Sequence, residues 1–189
     1  MLKRILEISK KLNLNHIGSC TSVLPVLDEI YKQKKKKDKV VMSGAHAHLA
    51  HLVVKEKYEG LKDIEELIKK DIHCTREVGC DATGGSLAHS GIAIGLALAN
   101  RKRNVYLIMT DGSLGEGEEW EVLRIKRELK LDNLYVYVSA NGYTAVSVVD
   151  IPYLIERLVA FCPDVQIRLN NNYKNIGIEG HYLTYDQIK

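Results

Sequence analysis

The chain has 189 residues, enough to bury one substantial core, and its 46% apolar and 27% charged residues are ordinary for a globular protein. A net charge of +3 comes with one dense basic run, Lys34-Lys35-Lys36-Lys37, and with no recognisable nucleic-acid module, so nucleic-acid binding is not expected. No stretch of about 18 apolar residues offers a membrane span, and the Met1–Glu7 start lacks the apolar core of a secretion signal, so the expectation is a cytoplasmic protein.

In chain order, Leu2, Ile5, Leu6, Ile8 and Leu12 have mostly helical spacing. Ser22 to Tyr31 reads as a second helix with Ser22 as its cap. The lysine run reads as a solvated loop, and Val40-Val41-Met42 as a short strand. Ala47 to Tyr58 is an apolar helix, and Leu61 to Lys70 a charged amphipathic one. Gly79 to Gly85 forms a glycine-containing loop, and Ile92 to Ala99 a helix whose small residues suit close packing on a sheet. Val105 to Met109 reads as a buried strand, Glu116 to Leu131 as a helix and Leu134 to Val138 as the next strand. A helix from Ile151 to Phe161 and a strand from Val165 to Leu169 follow. The alternation predicts a three-layer α/β/α domain with a mainly parallel sheet, one domain over 1–189.

Within this pattern Asp111 and Asn141 end two successive strands of a β-α-β unit, and ligands bind outside the carboxyl ends of such strands. A carboxylate, an amide oxygen and a carbonyl near Tyr143 are hard oxygen donors that suit Mg²⁺ or Ca²⁺. Taken singly, Asp111 reads as a helix cap and Asn141-Gly142 as an ordinary turn. Their register on adjacent strand ends shifts the balance toward a site.

Asp111-Gly112, Glu116-Gly117, Glu121 and Asn141-Gly142 resemble the thiamine diphosphate motif of the transketolase family. Thr110 stands where that motif opens on Gly, and Ser139-Ala140 where it often has Asp-Asn. The resemblance covers most of the chain. Asn15-His16-Ile17-Gly18, Ser43-Gly44-Ala45-His46-Ala47, Thr83-Gly84-Gly85-Ser86-Leu87 and Glu179-Gly180-His181 follow the family's order. It implies an N-terminal, diphosphate-binding domain that is shortened relative to the family. Asp111, Asn141 and the Tyr143 carbonyl would hold the divalent ion. Gly112, His46, Gly85 and Leu87 would meet the cofactor, and Glu116 with Glu121 would join an acidic network at a subunit interface. His16, His46 and His73 match positions near the cofactor and the sugar, where imidazole can hold a hydroxyl or move a proton. The implied reaction passes a two-carbon unit between sugar phosphates. The cofactor-activating glutamate of the family lies on a pyrimidine-binding domain, so the implied partner is a C-terminal, pyrimidine-domain subunit within a homo-oligomer. Two alternatives stay open: a related thiamine-dependent enzyme subunit with another substrate, and a non-catalytic binding protein on the same fold.

Cys20, Cys74, Cys80 and Cys162 form no Cys-x-x-Cys pair, and reduced thiols are the expectation. His48 and His51 could share a helix face, but His-Glu-x-x-His is absent and no acidic residue falls in the run. A zinc site is therefore not expected, and both histidines read as packing or surface residues.

Overall fold

A computed structural model describes residues 1–82, 87, 89–144 and 146–170. The first helix, α1, spans Leu2–Leu12 and buries Ile5 and Ile8. The helix α2 spans Ile17–Gln33, followed by strand β1, Lys39–Met42. Helices α3, His48–Glu59, and α4, Ile64–Lys70, come next. Helix α5, Gly91–Ala99, leads to strand β2, Val105–Thr110. Helix α6, Gly117–Glu128, strand β3, Leu134–Ala140, helix α7, Ile151–Phe161, and strand β4, Gln166–Leu169, complete the described order.

The four described strands form one parallel sheet in the order β1-β2-β3-β4. Alternation along the strands decides which residues face which layer. Tyr106 and Ile108 pack with α1 to α4, whereas Val105, Leu107 and Met109 pack with α5 to α7. Every residue of β2 is buried, as a strand covered on both faces requires. The fold is thus a three-layer α/β/α arrangement with helices on both sides of a parallel sheet.

Three local expectations need correction. Helix α2 begins five residues before the expected Ser22 cap, with His16 as its N-cap in a left-handed conformation, φ 61°. Ile17, Gly18, Ser19 and Cys20 are buried, so tertiary packing extends the helix past the weak local signal. The lysine run is not uniformly solvated. Lys34 lies 4.8 Å from the centre of the Tyr31 ring and pairs with Glu59 at 2.7 Å. Cys74 and Cys80 are joined as a disulfide, and only Cys20 and Cys162 are free.

Candidate functional site

The site is built at the carboxyl ends of β2 and β3. Their register pairs Thr110 with Ser139, which sets Asp111 and Asn141 just beyond the last pairs. The Asp111 carboxylate is 5% exposed. Its Oδ2 accepts from the backbone N–H of Asn141 at 2.8 Å and of Gly142 at 2.7 Å. Its Oδ1 accepts from Gly112 N–H at 3.2 Å. Burial raises the Asp111 pKa, and the N–H groups of Gly142, Asn141 and Gly112 pull against that rise. Gly142 takes φ +90°, a left-handed turn that favours glycine and directs its N–H at the carboxylate.

Asn141 is fixed from two sides. Its Oδ1 accepts from Tyr143 N–H at 2.9 Å, and its Nδ2 donates to Ser22 Oγ at 3.1 Å. Pro25 lies within α2 and lacks the N–H that the Thr21 carbonyl, in the preceding turn, would receive. In that turn the Ser22 carbonyl accepts from Ser139 Oγ at 2.9 Å. Ser22 therefore clamps α2 onto the end of β3, a task that its cap-like position in the sequence does not reveal.

The Thr110-Asp111-Gly112-Ser113 turn is self-braced. Thr110 N–H donates to Ser113 Oγ at 2.9 Å, Ser113 N–H to Thr110 Oγ1 at 3.0 Å, and Ser113 Oγ to the Thr110 carbonyl at 3.0 Å. The Thr110 methyl faces Gly44, where a Cβ would come within 3.0 Å of Thr110 Cγ2. Gly44 thus leaves the room that Thr110 occupies at the end of β1.

A narrow pocket opens here, lined by Ser19, Ser22, His46, Asp111, Asn141 and Tyr143, with Gly112 on its wall. The ring of His16 lies 5.2 Å from that of His46. The structure therefore brings together His16, His46, Asp111, Gly112, Asn141 and Tyr143. His73, Leu87 and Glu116 are not among the residues that line this pocket. His73 is half-buried and its Nδ1 lies 3.4 Å from Asp71 Oδ1. Glu116 is exposed at the N-cap of α6, with no side-chain cap bond. Gly85 and His181 lie outside the described residues.

One buried acid carries no signal in the sequence. Glu119 is 0% exposed on α6. It accepts from Ser43 Oγ, at the end of β1, and from Ser90 Oγ, before α5, at 2.8 Å. Burial pushes its pKa up to about 7, and the charges of Glu118 and Glu116 add to the rise. Glu118 itself accepts from Gly91 N–H at 2.9 Å. Two neighbouring acids of α6 thus tie this helix to β1 and α5.

The donor chemistry suits a hard divalent ion. Asp111 Oδ1 accepts one N–H bond, from Gly112, and a carboxylate oxygen can accept two. Asn141 Oδ1 accepts one bond, which leaves a second lone pair, and Asn141 lines the same pocket as Asp111. A buried carboxylate met by N–H dipoles gains from a cation at the pocket mouth.

Among the described residues no helix is long and apolar enough to cross a membrane. No family-level profile matches the chain. The chain is similar to an apulose-4-phosphate transketolase subunit of Phocaeicola vulgatus, 29% identical over 86% of this chain and 67% of that protein. It is similar to a 6-deoxy-6-sulfo-D-fructose transketolase subunit of a Clostridium species, 29% identical over 75% of this chain and 62% of that protein. Another apulose-4-phosphate transketolase subunit, from Actinobacillus succinogenes, is 38% identical over 33% of this chain and 25% of that protein. The chain spans about two thirds of the length of the first two relatives, and its likeness is to proteins named as subunits of transketolases.

Proposed function

We propose that this chain is the diphosphate-binding subunit of a transketolase-like transferase. The observation that carries this reading is the buried Asp111 carboxylate, locked by two N–H groups from the end of the neighbouring strand, with Asn141 lining the same pocket. Asp111, Asn141 and the Tyr143 carbonyl would hold Mg²⁺ or Ca²⁺, and that ion with Gly112 would hold a diphosphate. His46 stands on the pocket wall, where it would meet the cofactor and substrate. When bound, thiamine diphosphate supplies the carbon nucleophile and electron sink that cleavage of a ketose needs.

The residues of this chain bind and orient. His16 and His46 would hold substrate hydroxyls, and an imidazole there can give or take a proton near neutral pH. His16 holds a left-handed conformation, which costs a non-glycine residue roughly 1 kcal/mol, and such strain clusters at binding sites. Gly85 and Leu87 belong to the segment before α5 and would meet the middle of the cofactor, and His73 would serve with His16 and His46 near the cofactor and the sugar. Glu116 would serve the acidic network of a subunit interface in a homo-oligomer. The relatives are named as subunits of transketolases, which supports a partner chain that supplies the pyrimidine-binding half. The substrates would be sugar phosphates, and the location the cytoplasm.

The test is a ketol-transfer assay with thiamine diphosphate and Mg²⁺. The chain alone is expected to be inactive, and activity is expected when a pyrimidine-domain chain is added. Full turnover by this chain in a preparation free of other protein would overturn the two-chain reading.

A further inference from the structure

On the helical layer formed by α1 to α4, a second group of chemically able side chains converges. His48 and His51 lie three residues apart on α3 and share a face. Both are 0% exposed. Cys74 and Cys80 flank the short turn Arg76–Val78, and both are buried. His51 Nδ1 lies 3.6 Å from Cys74 Sγ and 3.8 Å from Cys80 Sγ. A ring nitrogen of His48 and the two sulfurs all lie within 4.8 Å of one another.

The state of His48 asks for an explanation. Neither of its ring nitrogens has a hydrogen-bond partner among the described residues. The backbone of Asp71 and Val78 lies near the ring, but neither meets the distance and angle of a hydrogen bond. A fully buried, unpaired imidazole costs free energy unless something meets it.

We propose that the reduced protein binds one Zn²⁺ through His48, His51, Cys74 and Cys80. Two thiolates and two neutral imidazoles make a closed, four-coordinate structural set. With Zn–S near 2.3 Å and Zn–N near 2.0 Å, tetrahedral ligands sit roughly 3.3–3.8 Å apart. The His51 nitrogen already stands at such distances from both sulfurs. The His48 nitrogen and the two sulfurs, within 4.8 Å of one another, would have to draw together on the metal. Tyr31 Oη lies 2.7 Å from His51 Nε2 and fixes that nitrogen as the outer one, leaving Nδ1 toward the sulfurs.

The sulfurs are joined in this structure, so metal entry follows reduction. The disulfide takes two electrons and two protons from a low-molecular-weight thiol, which becomes its own disulfide. The two new thiols then lose two protons as Zn²⁺ enters, and the metal's oxidation state does not change. The bound ion would pin segment 71–82 to α3. That segment is already tied to β1 by Asp81, which accepts from Val40 N–H at 3.0 Å and Lys39 Nζ at 2.9 Å.

The experiment measures zinc in the full chain, purified under reductant from zinc-supplemented culture, together with Co²⁺ titration of the stripped protein. The wild type is expected to hold one Zn²⁺ per chain and to give thiolate-to-Co²⁺ charge-transfer bands with the intensity of a tetrahedral site. Metal content should fall at least about tenfold in the Cys74→Ser/Cys80→Ser and His48→Ala variants. It should be unchanged in Cys20→Ser and Cys162→Ser. Absence of zinc and of cobalt bands in wild-type protein whose four thiols all titrate would overturn the proposal, and this arm needs no variant to fold. Retention of zinc by the double-serine variant would overturn it as well. Neither readout involves thiamine diphosphate, so this site and the Asp111 site stand or fall separately.

Discussion

Glu119 shows how a single residue takes its properties from distant segments. In sequence it is one of several acids in Glu116–Glu121. Its burial depends on Ser43 and Ser90, which lie 76 and 29 residues away and which no local pattern links to it. Its folded pKa is raised above the ordinary carboxylate value, to about 7. The folded state therefore binds the extra proton between the ordinary value and about 7, and stability falls as pH rises through that window. The slope approaches about 1 kcal/mol per pH unit. Glu119→Gln should flatten this dependence and melt higher than wild type at pH 8. Thermal melts from pH 5 to 8 test it, and parallel curves for the two proteins would contradict the assignment. A second prediction concerns the pocket histidines. Replacing His16 or His46 by Ala should lower the rate of the complex about 10²–10³-fold, the scale of one lost donor at a reacting centre. Wild-type rates from both variants would remove them from the chemistry. His46 is singled out only by the family resemblance, whereas Asp111 and Asn141 are legible in the sequence because each follows a strand end. Ser22 is not, because a serine before an apolar run signals a cap, whereas here it sits inside α2.

At the scale of elements, period and punctuation locate the secondary structure well. The helix over Ile151–Phe161 has the expected bounds, and the reason is local. Asp150 Oδ1 accepts from Tyr153 N–H at 3.1 Å, and Pro152 follows in the first turn. Asp150→Ala should cost about 1 kcal/mol of stability, measurable by denaturant unfolding. An unchanged midpoint would mean that packing of Leu154 and Leu158 alone holds the helix. The central strand carries far more. Leu107 is 0% exposed between the sheet and α5 to α7, so Leu107→Ala should cost about 2–5 kcal/mol. The meeting of His48 and His51 with Cys74 and Cys80 is not legible. Each pair has a spacing that means little alone, and a stretch of helix and loop separates the two pairs. Only the packing of segment 71–82 onto α3 brings the sulfurs to the imidazoles.

At the scale of the whole molecule, parallel pairing does two things at once. It buries β1 to β3 between two helical layers, and it places their carboxyl ends on one edge. Ser43, His46, Asp111 and Asn141 follow from that placement, since each lies at or just past the end of a strand. The alternation of strands and helices makes the layers legible, but the clamps across them are not, because Ser22 with Asn141 and Ser43 with Glu119 join segments far apart in the chain. The central claim is that this edge holds a diphosphate through a divalent ion. Titration calorimetry of the chain with thiamine diphosphate, with and without Mg²⁺ and in the presence of the pyrimidine-domain partner, tests it most directly. Binding to the wild type is expected to require Mg²⁺ and to be lost in a folded Asp111→Ala protein. Binding of undiminished strength to Asp111→Ala, or to the wild type without any divalent ion, would contradict it.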